Sequence, residues 1–174
     1  MNVSQILIIM KKSLYLFTAI LVISVISCKG QSEKSNSLTR PEVATPAHIT
    51  KTDFLNLVMD YEKNTKTWVY QGEMPCLIDF YADWCAPCHI ASPILEDLAR
   101  KYAGEINIYK VDIEKEKELA SVFGVQSIPT FLFCPMEGNP TISSGIANSP
   151  EATRNMFIQQ IEELLLKKVK SSTI

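Results

Sequence analysis

Histidine is nearly absent from this 174-residue chain and cysteine is sparse, with two of the first and five of the second. His48 lies far upstream and His89 directly follows Cys88, so no second ligand pair is at hand to join Cys85 and Cys88 on zinc, which usually takes two close pairs. No metal is expected. Cys28, Cys76 and Cys134 each stand alone, and five cysteines are too few for a disulfide-stapled scaffold. Charge of one sign is missing too: 17 basic residues face 19 acidic ones. Without a basic stripe or an aromatic platform, a general affinity for nucleic acid is excluded. The apolar run Ser13–Ser27 is too short for a comfortable transmembrane span. No internal repeat is visible.

What the chain does have at its start is a leader. Lys11-Lys12 open a charged region ahead of the apolar run, so residues 1–27 read as a secretory signal outside the fold. Translation starts at Met1 or at Met10, directly before the lysines. The run ends in Val25-Ile26-Ser27-Cys28, which resembles the lipobox of bacterial lipoproteins. In that motif a cysteine after a small residue is lipidated and becomes the mature N-terminus. Cys28 is therefore the expected lipidation site. A plain cleaved signal or an uncleaved anchor remains the alternative, and either also sends the domain out of the cytoplasm. Residues 28–46 hold almost nothing that can be buried and read as a flexible tether. Without Lys11 and Lys12 the mature chain keeps 15 basic and 19 acidic residues, a net charge of −4. Residues 47–168 form one domain of ordinary size, and 169–174 a fraying tail.

Trp84-Cys85-Ala86-Pro87-Cys88-His89 is the most informative stretch. An apolar strand ending in Asp79-Phe80-Tyr81-Ala82-Asp83 runs into it, and Ile90, Ile94, Leu95, Leu98 and Tyr102 follow at helical spacing. A strand that delivers C-x-x-C to a helix start puts the first sulfur against free N–H groups and the positive end of the helix dipole, which stabilises a thiolate. Cys85 is then the attacking thiol, and Cys88, one turn in, resolves the mixed disulfide.

Around this motif the periodicities suggest a βαβαββα order. A helix starts at Thr52-Asp53 with Phe54, Leu57, Val58 and Tyr61 on one face, and Trp68-Val69-Tyr70 is a short extended piece. Strands follow at 76–82, 106–112, 130–134 and 141–144, with a charged helix from Glu114 to Phe123. Ser149-Pro150-Glu151 opens a last helix that docks Phe157, Ile161, Leu164 and Leu165 on the sheet. Asp79 is an acid in the middle of an apolar strand, a costly place unless it is neutral or paired.

Three separated segments now carry a family resemblance. Asp79-Phe80-Tyr81-Ala82-Asp83-Trp84-Cys85-Ala86-Pro87-Cys88 resembles the active-site segment of thioredoxins. Pro93 stands where the family has its helix-kinking proline, and Phe123-Gly124-Val125-Gln126-Ser127-Ile128-Pro129-Thr130 resembles its cis-proline loop. Lys110 and Gly145 fall at further family positions, and the likeness runs from about Ile49 to Leu166. The departures are Ala86 for glycine, His89 for lysine, Tyr81 for a common tryptophan and Ser127 for glycine.

The resemblance implies an α/β thioredoxin fold, a mixed central sheet flanked by helices on both faces. It implies that Asp79 lies beneath the cysteines and relays a proton to Cys88 through water, tuned by Lys110, and that the Ile128–Pro129 bond is cis. Trp84, Ala86, Ile128, Pro129, Gly145 and Ile146 would then form a shallow patch for extended polypeptide, with ordinary surface exposure as the alternative for Ile146. His89 either tunes Cys88 or simply faces solvent. Cys76 and Cys134 fall on antiparallel neighbouring strands, side by side, and are expected to be two buried free thiols rather than a bridge. The function implied is a protein disulfide oxidoreductase, with Ala-Pro suggesting a reductase. An oxidase or isomerase of the same fold is the rival, and an idle binding module the remoter one. No cofactor is expected. The partners would be substrate proteins with disulfides and a membrane thiol donor, and the protein would be a monomer anchored in the bacterial envelope, facing the periplasm.

Overall fold

Cys76-Leu77-Ile78-Asp79-Phe80-Tyr81 contains a single group that strongly prefers water, and so apolar a strand needs cover on both faces. The computed structural model describes residues 44–168. The leader (1–27), Cys28, the tether up to residue 43 and the tail (169–174) lie outside the described residues. In chain order the elements are β1 (Ala47–His48), α1 (Lys51–Leu57), β2 (Cys76–Tyr81), α2 (Ala86–Lys101), β3 (Asn107–Asp112), α3 (Lys117–Val122), β4 (Thr130–Cys134), β5 (Thr141–Ser144) and α4 (Pro150–Gln160). The last helix continues as a π-helical turn, Ile161–Leu165.

The five strands make one mixed sheet in the order β1-β3-β2-β4-β5, with β2 at its centre and buried throughout. Pairings on the β1 and β3 side are parallel, and those to β4 and β5 are antiparallel. Alternation along β2 divides the core. Leu77 joins Ile94, Leu95 and Leu98 of α2, Phe131 of β4 and Phe157 of α4 on one face. Ile78 and Phe80 join Phe54 of α1, Leu119 of α3 and Leu132 of β4 on the other. Each fully buried leucine or phenylalanine contributes about 1.5–3 kcal/mol, so both helical layers are held mainly by the apolar faces they bury. The expected fold class is the observed one.

Three local expectations need correction. The first helix begins one residue past Thr50, whose hydroxyl accepts from the Asp53 N–H while Asp53 accepts from the Thr50 N–H. It ends at Leu57 because Asp60 accepts from the Lys63 N–H at 3.0 Å and stabilises a turn instead of another helical turn. Tyr61 packs on Phe54 from that turn, at 6.1 Å between ring centroids, and Leu57 is exposed. The third helix starts at Lys117 because the Asp112 carboxylate and carbonyl take the N–H groups of Glu114 and Glu116 into a turn. The expected order also lacks one strand, β1, while Trp68-Val69-Tyr70, the short extended piece, joins no ladder and Trp68 stacks on Tyr70 over the α1/α3 face.

Candidate active site

Beyond Tyr81 the chain leaves the sheet and turns, with the Cys85 N–H bonded to the Ala82 carbonyl at 3.1 Å. Cys85 is extended (φ −84°, ψ 104°) and is the N-cap of α2. Its sulfur accepts the Cys88 N–H at 3.2 Å, the place an oxygen side chain usually takes in a cap. Pro87 lies in the first turn, where a missing N–H leaves nothing unsatisfied. Arg100 and Lys101 complement the far end of this 16-residue helix, and Pro93 is accommodated inside it. Cys85 and Cys88 are joined by a disulfide with an S–S distance of 2.09 Å.

The surroundings are asymmetric. Trp84 is 67% exposed, and Ala86 and Pro87 are exposed beside it, whereas the two sulfur-bearing residues pack with Tyr81 and Ile128. The Ile128–Pro129 bond is cis. Thr130 donates to the Ser127 carbonyl at 2.7 Å, and the Gly145 N–H reaches the Pro129 carbonyl at 2.8 Å, so the loop is held at both ends. Gly145 has φ +80° and a Cβ there would meet nothing within 4 Å, so backbone conformation rather than space calls for glycine. Ile146 is half-buried against the α2/α4 core and is not grouped with the cysteines. His89 is exposed, with Nε2 2.7 Å from the Asp83 carbonyl, which ties the first turn of α2 to the loop ahead of it.

Beneath this surface Asp79 is fully buried, and neither carboxylate oxygen has a hydrogen-bond partner among the described residues. It lies on the same face of β2 as Leu77 and Tyr81, the face that α2 covers. Burial lifts its pKa from 3.8 to about 7, against the pull of the Lys110 charge. Lys110 is its register partner on β3, but neither Asp79 oxygen takes a hydrogen bond from it. The ammonium instead donates to Ser92 on α2 at 2.7 Å and stands 4.4 Å from the centroid of the Tyr81 ring. Such an acid can hold or release a proton near neutrality, on the same strand face as Tyr81, which packs with both cysteines.

Cys76 and Cys134 are direct register partners across β2 and β4, buried and free. Burial and the neighbouring Cys76 thiol push the Cys134 thiol pKa well above its usual value. Two contacts escape the sequence reading: Ser92 as the partner of Lys110, and His48, whose Nδ1 is 3.2 Å from the Tyr81 hydroxyl. The two-residue strand β1 that carries His48 has no periodicity of its own, so nothing short of the register could reveal it.

A family model for thioredoxin matches residues 56–160. The chain is 50% identical over 97 residues to a thioredoxin of Borreliella burgdorferi, covering 56% of this chain and 82% of that one. It is 33% identical over 126 residues to a chloroplastic M-type thioredoxin of Zea mays, covering 71% and 74%. A thioredoxin of Haemophilus influenzae is 30% identical over 113 residues, covering 65% and 94%. Among solved structures, chloroplastic thioredoxin z superposes with a TM-score of 0.51 at 21% identity, over 68% of this chain and 96% of that one, a likeness of fold.

Proposed function

The chain belongs to the thioredoxin family and is a thiol–disulfide oxidoreductase acting on substrate proteins with disulfides, and from that premise we propose a lipid-anchored disulfide reductase of the bacterial envelope. The observation that carries the chemistry is the Cys85–Cys88 disulfide at the N-terminus of α2, with the buried, unpartnered carboxyl of Asp79 on the sheet face that this helix covers. In the reduced protein the Cys85 thiolate, stabilised by the helix start and the Cys88 N–H, attacks a substrate disulfide. One substrate sulfur leaves as a thiolate and a mixed disulfide forms. The Cys88 thiol then gives its proton to the Asp79 carboxylate, attacks Cys85 Sγ and expels the second substrate thiolate. Two electrons pass to the substrate, and one proton passes from Cys88 to Asp79.

Lys110 modulates Asp79 by its charge. Trp84, Ala86, Ile128 and Pro129, with Gly145 behind them, receive an extended segment of substrate, and Ile146 contributes at most an edge. Cys28 carries the lipid, residues 28–46 give the domain reach, and the periplasmic side is the workplace. Reducing equivalents come from a membrane thiol carrier, because soluble NADPH-dependent reductases belong to the cytoplasm.

The test has two arms. Wild-type protein should catalyse reduction of a protein disulfide by dithiothreitol, and Cys88→Ser should accumulate mixed disulfides through Cys85; an inactive wild type contradicts the chemistry. Cys28→Ser should leave the membrane fraction or stay unprocessed, and the native N-terminal peptide should carry lipid mass. A mature chain beginning elsewhere without lipid refutes the anchor and leaves the exchange chemistry standing.

A further inference from the structure

Three titratable side chains stand in one row across the sheet. His48 on β1 pairs in register with Lys110 on β3, and Lys110 pairs with Asp79 on β2. Register partners project to the same face, so the row runs from the exposed sheet edge to the buried carboxyl. Tyr81, two residues past Asp79 on that face, links the row to the redox centre. Its hydroxyl meets His48 Nδ1 at 3.2 Å, Lys110 Nζ lies 4.4 Å from its ring centroid, and its ring packs with Cys85 and Cys88.

A cavity of about 210 Å³ opens beside this row, lined by His48, Thr50, Lys110, Asp112, Lys115 and Glu116 among others. Lys110, Asp112, Lys115 and Glu116 set charged groups into a lining that is otherwise mainly apolar, and the volume accommodates several waters, each of which fills about 30 Å³ in the liquid. Lys110 is the residue that both lines this cavity and neighbours Asp79. The charged groups around Tyr81 are Lys110, Asp112 and Lys115 on the cavity side and Asp83 and Asp79 along its own segment.

A rear opening matters because of what happens at the front. While a mixed disulfide lies over Trp84 and Ile128, substrate covers the mouth of the site just when Cys88 must lose its proton. We propose that the edge cavity is the proton port of Asp79, and that His48 is a positioning residue that holds Tyr81, and through it Lys110, in place between the port and the disulfide. The inference rests on Asp79 being the proton acceptor of Cys88. The proton taken by the Asp79 carboxylate from the Cys88 thiol leaves through the cavity to water, which restores the carboxylate for the next turnover. Loss of the His48 contact frees the Tyr81 ring, releases Lys110 from above it, and raises the pH at which Asp79 titrates.

The experiment uses the full chain as wild type, His48→Ala, His48→Gln, Tyr81→Phe and Asp79→Asn. Resolution of a preformed mixed disulfide is followed by rapid mixing from pH 5.5 to 9, and the Asp79 carboxyl is titrated by carbon NMR in the oxidised protein. His48→Ala and Tyr81→Phe should slow resolution about threefold to tenfold, a part of the full effect of general-base catalysis, and should move the Asp79 inflection upward. His48→Gln, whose amide still reaches the tyrosine hydroxyl, should recover most of the rate. If His48→Ala keeps the wild-type rate and inflection while Asp79→Asn abolishes the inflection, the port is refuted and the role of Asp79 stands. If Asp79→Asn itself leaves the profile unchanged, the role of Asp79 falls and the port with it.

Discussion

Two cysteine pairs flank the central strand, one at each end, and burial does not tell them apart. Cys85 and Cys88 are 3% and 2% exposed, and Cys76 and Cys134 are both at 0%. The difference lies in what surrounds the sulfurs. Cys85 caps a helix, takes an N–H on its sulfur and sits against the most exposed tryptophan of the domain. Cys76 and Cys134 belong to an antiparallel ladder with Ile78, Val111 and Leu132 in the same cluster. A buried thiol becomes a nucleophile where uncommitted N–H groups and a helix dipole meet it, and acts as a small apolar side chain where they do not.

Removing one pair at a time should separate their roles. Cys85→Ser should cut disulfide exchange on the order of 10³-fold or more, since a nucleophile has no substitute. Cys76→Ala with Cys134→Ala should keep the rate within about twofold, the range of a small change away from the site. In the folded, reduced protein an alkylating reagent should label Cys85 first, and Cys76 and Cys134 only after denaturation. A Cys76–Cys134 cross-linked peptide in oxidised protein contradicts the view that this pair is inert.

Asp79→Asn comes next, with an expected loss of about 100-fold in mixed-disulfide resolution above pH 7, the lower end for a lost general base. The same acid opposes stability. Its folded pKa, about 7, lies above the 3.8 of an unburied carboxyl, so the native state holds the proton more tightly. Stability is therefore fullest below about pH 4 and falls as pH rises through 7, by up to about 4 kcal/mol at 1.36 kcal/mol per unit. Urea unfolding at pH 5 and pH 8 should show about 3 kcal/mol of this decline in the wild type and a flatter profile in Asp79→Asn.

Cys85, Cys88 and Asp79 were legible in the sequence from local physical signatures, a C-x-x-C before a helical stripe and an acid inside an apolar strand, whereas the cis Ile128–Pro129 bond, Lys110 and Gly145 came only through the family resemblance. The pairing of Cys76 with Cys134 followed from the two apolar strands and the family order. What escaped reading depends on partners far apart in the chain. Asp60 ends α1 through a side-chain turn although Tyr61 keeps the helical spacing. His48 gains its meaning only from the register of a two-residue strand with β3, and Ile146 faces the core instead of the cysteines.

Smaller effects sharpen the same contrast. Cys134→Ser places a hydroxyl among apolar neighbours and should cost about 1–3 kcal/mol in urea unfolding without changing the exchange rate. His89→Ala removes only an exposed ring from the Asp83 carbonyl, and both rate and stability should move by no more than about 0.5 kcal/mol.

The central claim is that the helix start makes Cys85–Cys88 a reducing couple, with Ala-Pro standing for the Gly-Pro of the family. Its reduction potential, from equilibration with a glutathione buffer and quantified by mass spectrometry of the alkylated protein, tests this most directly. The expected value lies near the about −270 mV of thioredoxin, whereas a value near the about −120 mV of a strong oxidant contradicts the reductase and makes the protein an oxidase.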